Sequence, residues 1–253
     1  MKSIDITLKY YELLITRDLK DIQNISLPQG YKYTFWNNDN CINDWVNIHI
    51  ETGEFNNIEE AYKTFHLFYD SFYEELDKRC FFIEDLYGNK VATSTISPSD
   101  EFGYKCVIDW FAISSKVQGK GLSKSLLSKT LQVAKNLGND RILLHTQTHT
   151  WLAAKIYLDF GFEPFNIEEK EGWQILKTIT NHPKLKFVDC MDEDEMYDVL
   201  IVNIKKQLDK LHKSYNFNVW YKNGRNDVYV NEDGTFYTYK FYDNGNSLEE
   251  SKQ

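Results

Sequence analysis

Between Leu122 and Leu137 the residues Leu122, Leu126, Leu127, Thr130, Val133, Ala134 and Leu137 recur at three- and four-residue steps, and Gly138 follows at once. This spacing predicts an amphipathic helix with a glycine stop. Ahead of it, "CVIDWFAIS" from Cys106 to Ser114 is short and almost wholly apolar, the pattern of a strand covered on both faces. "RCFFIEDL" and "KVATSTIS", separated by "YGN", predict an antiparallel hairpin in which Gly88-Asn89 supplies the positive φ angles. Two helices are expected between Asn40 and Leu76, joined around "ETGEFNN". The first shows Ile42, Trp45, Val46 and His49 on one face, and the second Ala61, Phe65, Phe68, Phe72 and Leu76.

The aromatic and β-branched runs "YYELLI" and "YKYTFW", either side of the turn "SLPQG", predict one or two leading strands. After the long helix, "RILLHTQT" reads as a buried strand, "WLAAKIYLDF" as a helix ended by Gly161, and "WQILKTI" as a closing strand. The pattern changes after Pro183. Acidic "DEDE" at 192–195 opens a stretch with Met196, Leu200, Ile204, Leu208 and Leu211 on one face, closing in basic "KKQLDKLHK", so the charges complement a helix dipole. The tyrosine-rich remainder, with Asn-Gly and Asp-Gly turns, predicts a small antiparallel meander, and "SLEESKQ" should fray. The expected division is a domain over residues 1–182 and an appendage over 183–253.

Composition narrows the classes. Apolar residues make up 42% and charged residues 26% of 253, with four prolines and twelve glycines, as in a chain folded nearly throughout. A formal net charge of -9 without a basic stripe disfavours nucleic acid as a partner. The charged N-terminus and the absence of a long apolar run argue against a signal peptide and a membrane partner, making a cytoplasmic location the expectation. Cys41, Cys80, Cys106 and Cys190 are widely spaced and read as buried free thiols. His145 and His149 bracket a strand-to-helix junction rather than sharing a helical face, so no metal site is expected. No G-x-S-x-G elbow is present.

The candidate chemistry lies in "SSKVQGKGLSKSLL", Ser114 to Leu127. A strand feeding a helix near Gly119 would leave first-turn amides unpaired at the positive end of the dipole, which favours an anion such as a pyrophosphate. Gly119 and Gly121 lack the Cβ that would block approach, Gln118 can donate from its amide, and Lys120 adds charge. A turn without a ligand has the same spelling. The dinucleotide fingerprint fails because Lys124 stands at the third glycine, and no Walker loop is present.

The segment resembles the acyl-CoA signature Q/R-x-x-G-x-G/A of the GNAT N-acetyltransferase superfamily. Gln118, Gly119, Lys120, Gly121, Leu122 and Ser123 meet it, with Ser123 where Gly or Ala is usual. "VIDWFAIS" is similar to the family's splayed fourth strand and "RILLHTQT" to its fifth. "AAKIYLDFGF" is similar to its A-x-x-x-Y-x-x-x-G-F helix ending, with Ala153, Tyr157, Gly161 and Phe162 in register and Thr150 where many members carry Asn. The resemblance covers roughly residues 30–180. A similar "HTQT" strand end and "GEF" segment also occur in bacterial members of unassigned acceptor.

The resemblance implies an α+β fold of the acyl-CoA N-acyltransferase type, a mixed, mostly antiparallel sheet flanked by helices, here with a small C-terminal helix-plus-meander appendage. It implies acetyl-CoA (coenzyme A) as cofactor. The backbone of Phe111, Ala112 and Ile113 would hold the pantetheine arm, and the amides of Gln118 to Ser123 the pyrophosphate. Thr150, Ala153 and Tyr157 would complete the cofactor contacts. Tyr157 matches the position from which a tyrosine protonates the departing thiolate; a thiol of pKa about 8.5 and a phenol near 10 are close enough for this to help. A core tyrosine is the alternative.

For the general base, Val107 occupies the place of the glutamate used in histone-type members. Asp109, on the same strand face, and Glu54, in the "GEF" link, are the candidates. Either fits a solvated or capping acid equally well. The expectation is therefore an N-acetyltransferase moving acetyl to a primary amine of a small molecule or peptide in a ternary complex. The alternatives are a CoA-responsive regulatory module without turnover, or a fold used for interaction alone. The tyrosine-rich tail is a candidate contact for the acceptor or, in a homodimer, for the second subunit.

Overall fold

The computed structural model describes residues 4–186, 188, 194–222, 225–242, 245 and 247–250. In chain order the elements are β1 (Glu12–Asp18), β2 (Tyr31–Phe35), α1 (Asn40–Thr52), α2 (Ile58–Tyr69), α3 (Leu76–Arg79), β3 (Cys80–Asp85), β4 (Lys90–Pro98), β5 (Cys106–Ile113) and α4 (Leu122–Asn136). There follow β6 (Arg141–Gln147), α5 (Trp151–Asp159), β7 (Glu163–Pro164), α6 (Lys170–Thr180), α7 (Asp194–Leu208), β8 (Asn216–Lys222), β9 (Arg225–Glu232), β10 (Thr235–Tyr242) and β11 (Ser247–Glu250). They form two compact units, each discontinuous in sequence. One takes residues 18–99 and 105–143, the other 1–17, 100–104 and 144–253.

In the first unit the strands run β2-β3-β4-β5, every pair antiparallel, with Thr34 opposite Phe82, Phe82 opposite Thr93 and Thr93 opposite Ala112. Both expected helices before β3 form. α2, however, stops at Tyr69, and a 3-10 turn over Asp70–Glu75, broken at Phe72, leads into α3. Its buried positions are Ala61, Phe65 and Tyr69, so the predicted face was one residue out at Phe68, which is exposed. The core here is aromatic: Trp36 stacks on Phe65 at 5.5 Å, and Trp45 meets Phe65 and Tyr69 edge-on. Each such ring contributes roughly 1.5–3 kcal/mol by leaving water. In the hairpin loop only Gly88 has a positive φ, because the Asp85 carboxylate accepts the amides of Tyr87 and Asn89 and shapes the turn.

In the second unit β1 lies between β6 and β7, and the order of the C-terminal sheet is β11-β10-β9-β8. Asn166 clamps this unit: its Oδ1 accepts the Leu14 amide at 2.7 Å, and its carbonyl accepts the Trp173 indole N–H at 2.8 Å. "WQILKTI" is not a strand. It forms α6, because Gly172, Trp173 and Leu176 make a helical apolar stripe, and Gly172 lets the helix close onto Leu13 and Tyr11. The meander forms as expected, with Asp233-Gly234 at φ 51° and 84° between Glu232 and Thr235. Ser247–Glu250 does not fray but pairs with β10, Phe241 opposite Leu248. Residues 251–253, residues 192–193 of the "DEDE" run and Cys190 lie outside the described residues; Cys41, Cys80 and Cys106 are buried free thiols.

The meander is docked by aromatic contacts within its own unit. Phe165 packs on Phe102 and Tyr229 at 5.1 and 5.3 Å, Tyr104 on Tyr229 at 5.8 Å, and Gly103 lies against Phe236.

Candidate active site

The strand-to-helix turn follows directly from the local sequence. β5 ends at Ile113, and Ser114 caps a short 3-10 turn by accepting the Lys116 amide. Gly119 and Gly121 both take φ 80°, which only glycine adopts without strain, and Gly121 is the N-cap residue of α4. Gln118, Gly119, Lys120 and Gly121 are exposed, and a Cβ on either glycine would meet no atom within 4 Å. No acidic residue occupies the first turn of α4, and no side chain caps it. A fifteen-residue helix thus presents its positive end to open space. The residues fit a pyrophosphate.

The predicted pantetheine segment is less covered than its apolar sequence suggests. Asp109, Trp110, Phe111 and Ile113 are half-buried and only Ala112 is buried. The cause is a bulge: Thr93 pairs with Ala112 but Thr95 with Asp109, so Trp110 and Phe111 together oppose Ser94. Trp110 takes φ 51° to accommodate it. Nothing in the sequence signalled this conformation, since tryptophan rarely visits it.

Glu54 follows the left-handed C-cap Gly53 of α1, and its amide donates to the His49 carbonyl at 3.1 Å. Its surface is open to water on one side, yet enough protein packs around the carboxylate that desolvation raises its pKa above the usual range. Asp109 carries a charge close enough to push up the phenol pKa of buried Tyr69, secondary to burial itself.

Two residues the sequence did not single out join this region. Glu51, on the last turn of α1, accepts a hydrogen bond from the Ser114 hydroxyl and pairs with Lys116 Nζ at 2.5 Å. Burial pushes its pKa up, but the Lys116 and Ser114 hydrogen bonds outweigh this, and the net shift is downward. His49 is buried among Trp45, Phe55 and Trp110, and burial lowers its pKa to about 3, so the imidazole is neutral.

Thr150, Ala153 and Tyr157 belong to the other unit. Thr150 stands at the N-cap position of α5 without a side-chain cap, its hydroxyl donating to the Gln147 carbonyl at 3.2 Å, while Ala153 is half-buried on the first turn. Tyr157 is buried, its ring 5.9 Å from Phe162, just ahead of the Gly161 turn at φ 91°. The two histidines are occupied structurally. His145 sits 2.9 Å from both Glu12 and Glu101, and His149 Nε2 lies 2.8 Å from the Leu8 carbonyl. Among the described residues no metal-ligand cluster occurs, and no helix is long and apolar enough to cross a membrane.

Comparison with known proteins bears on the fold. A GCN5-related N-acetyltransferase from Sphaerobacter thermophilus superposes with TM-score 0.50 at 13% identity, over 60% of this chain and 48% of that one. A GNAT-family acetyltransferase from Colwellia psychrerythraea gives TM-score 0.46 at 13% identity, over 62% and 54%. Identity this low speaks for the fold alone, and this chain spans about half the length of those relatives. No curated protein matches the sequence. Residues 42–162 match the model of the Acetyltransferase (GNAT) family, a span that includes the α1–α2 link, the bulged β5, the glycine turn and Tyr157. Residues 42–162, just under half of the chain, are thus similar to the GNAT acetyltransferase family, and the fold is one that its solved members share.

Proposed function

We propose that the protein is an acetyl-CoA-dependent N-acetyltransferase, acting by direct transfer to a primary amine in a ternary complex. The observation that carries this is the Gln118–Ser123 turn: two glycines at φ 80°, exposed, opening α4 straight after a bulged strand. The cofactor supplies an activated acetyl thioester. The Gln118–Ser123 amides would hold its pyrophosphate, and the backbone of Phe111–Ile113 would hold the pantetheine arm and polarise the carbonyl. Attack by the amine forms the C–N bond and breaks the C–S bond. Tyr157 hands its proton to the leaving sulfur, and Glu54 or Asp109 takes the proton of the amine. Desolvation raises the Glu54 pKa, which makes its carboxylate a stronger base than an ordinary glutamate.

We take residues 1–182 as the catalytic domain and 183–253 as its appendage, in a cytoplasmic protein. Titration calorimetry with acetyl-CoA tests the site. Gly121→Trp should abolish binding, because a side chain at φ 80° is strained and would project into the phosphate turn. Binding that survives would remove the turn from the site. Tyr157→Phe should leave affinity unchanged and lower CoA release at least about tenfold, the lower end of acid catalysis. Binding without release by any amine would favour a CoA-responsive module.

A further inference from the structure

The bulge in β5 turns Trp110 into a wall of rings contributed by α1, the α1–α2 link and α2. Its indole lies 5.3 Å from His49, 5.3 Å from Phe55, 5.4 Å from Trp45 and 5.2 Å from Phe68. The inner side of this wall is core. Its outer side is not: Trp110 is half-buried, Phe68 is 40% exposed, and the neighbouring Leu67 is exposed as well. Within the wall three polar atoms, Trp45 Nε1, His49 Nε2 and Trp110 Nε1, are buried with no hydrogen-bond partner. His49 is 2% exposed, so an unpaired ring nitrogen there is costly unless something meets it. All three groups are uncharged at neutral pH. Two carboxylates neighbour these rings in the sequence: Asp109 precedes Trp110, and Glu54 precedes Phe55.

We propose that the acceptor is a primary amine with an aromatic or bulky apolar body, an arylalkylamine in its chemistry, and that Trp110 and Phe68 set this specificity. This inference rests on the proposed N-acetyltransferase function and names the acceptor class for the same site. The apolar body lies along Trp110 and Phe68, where ring faces and edges replace water. The ammonium group is drawn by Glu54 and Asp109 and by the electron-rich ring faces. A polyamine or an aminosugar would set extra charges or hydroxyls against rings that cannot hydrogen-bond them. In the reaction the ammonium loses one proton to become the nucleophile and a second as the amide forms. The thiolate takes up one proton, so one proton is released per acetyl group transferred.

The test measures CoA release from acetyl-CoA with phenethylamine, tryptamine and cyclohexylmethylamine against spermidine, glucosamine and a lysine peptide, with the amide product identified by mass spectrometry. The three apolar amines should exceed the hydrophilic set in kcat/KM by at least about tenfold, equivalent to burying part of one ring. Phe68→Ala and Trp110→Leu should erase that preference while calorimetric affinity for acetyl-CoA stays unchanged. Spermidine, glucosamine or peptide as best acceptor, no amine turned over despite cofactor binding, or a preference that survives both substitutions would overturn the acceptor assignment and leave the cofactor site standing. Failure of acetyl-CoA to bind the unaltered protein would instead overturn the proposed function, and the acceptor class with it.

Discussion

Gly172 shows how much a single missing side chain can decide. A Cβ there would come within 2.8 Å of Leu13 Cδ2 and of Tyr11 Cβ, and the second of these is fixed to the β1 approach rather than the far end of a flexible chain. Alanine would gain up to about 1 kcal/mol in helix propensity, yet the overpacking it forces costs about 1–3 kcal/mol. Gly172→Ala should therefore lower the midpoint of chemical denaturation, and a rise would mean that α6 packs more loosely. At this scale the sequence was a mixed guide. Asp233-Gly234 and the glycines of the turn between β5 and α4 were legible because positive φ has few residue types to choose from. Trp110 was not, because its positive φ is imposed by a register mismatch with β4 that only the paired strand reveals.

Elements carry couplings that no motif records. The end of α1 is tied to the turn between β5 and α4 by Glu51, which accepts from Ser114 and pairs with Lys116. The two contacts differ in weight. Ser114 is 2% exposed, so its hydroxyl loses a needed acceptor when Glu51 is removed, at about 1–3 kcal/mol, whereas Lys116 is largely in water and its pairing contributes under about 1 kcal/mol. Glu51→Ala should thus destabilise the protein clearly in thermal unfolding and Lys116→Ala scarcely; equal effects would refute this division. Periodicity located α1, α4 and α5 because each buries a helical face, and the β3–β4 hairpin was legible because two apolar runs flank a turn signal. It misassigned "WQILKTI", a short run that reads equally as strand or helix until Gly172 is seen against Leu13. The α1–α2 link had the spelling of a plain loop, and its aromatic wall assembles from residues far apart in the sequence.

At the scale of the whole molecule, the meander is bound into its unit rather than hung from it. Removing residues 183–253 would strip Tyr229 and Phe236 from Phe165, Tyr104 and Gly103. A chain truncated after residue 182 should aggregate or bind an apolar dye; a monomeric, fully active truncation would show the appendage to be dispensable. In the same unit His145 joins β6 to Glu12 of β1 and Glu101 of the 100–104 segment. Burial pushes its pKa down, but the hydrogen bonds and charges of Glu101 and Glu12 prevail and raise it from 6.5 to about 9. A raised histidine pKa stabilises most below the unfolded value, and that contribution is lost as pH climbs through the folded one. The melting temperature should fall between pH 6.5 and about 9, with His145→Gln flattening the fall; a parallel decline in the variant would exclude this group as its source.

The division into discontinuous units also has a consequence during synthesis. β1 leaves the ribosome early, but Ile15 pairs with Pro164, and the Leu14 backbone takes its partners from Phe165 and Asn166. Until those residues emerge, an apolar strand waits with open edges while residues 18–143 can already begin to condense. A nascent chain of this kind is a natural client for a holding chaperone, and the yield of active protein should depend on how long that strand must be shielded.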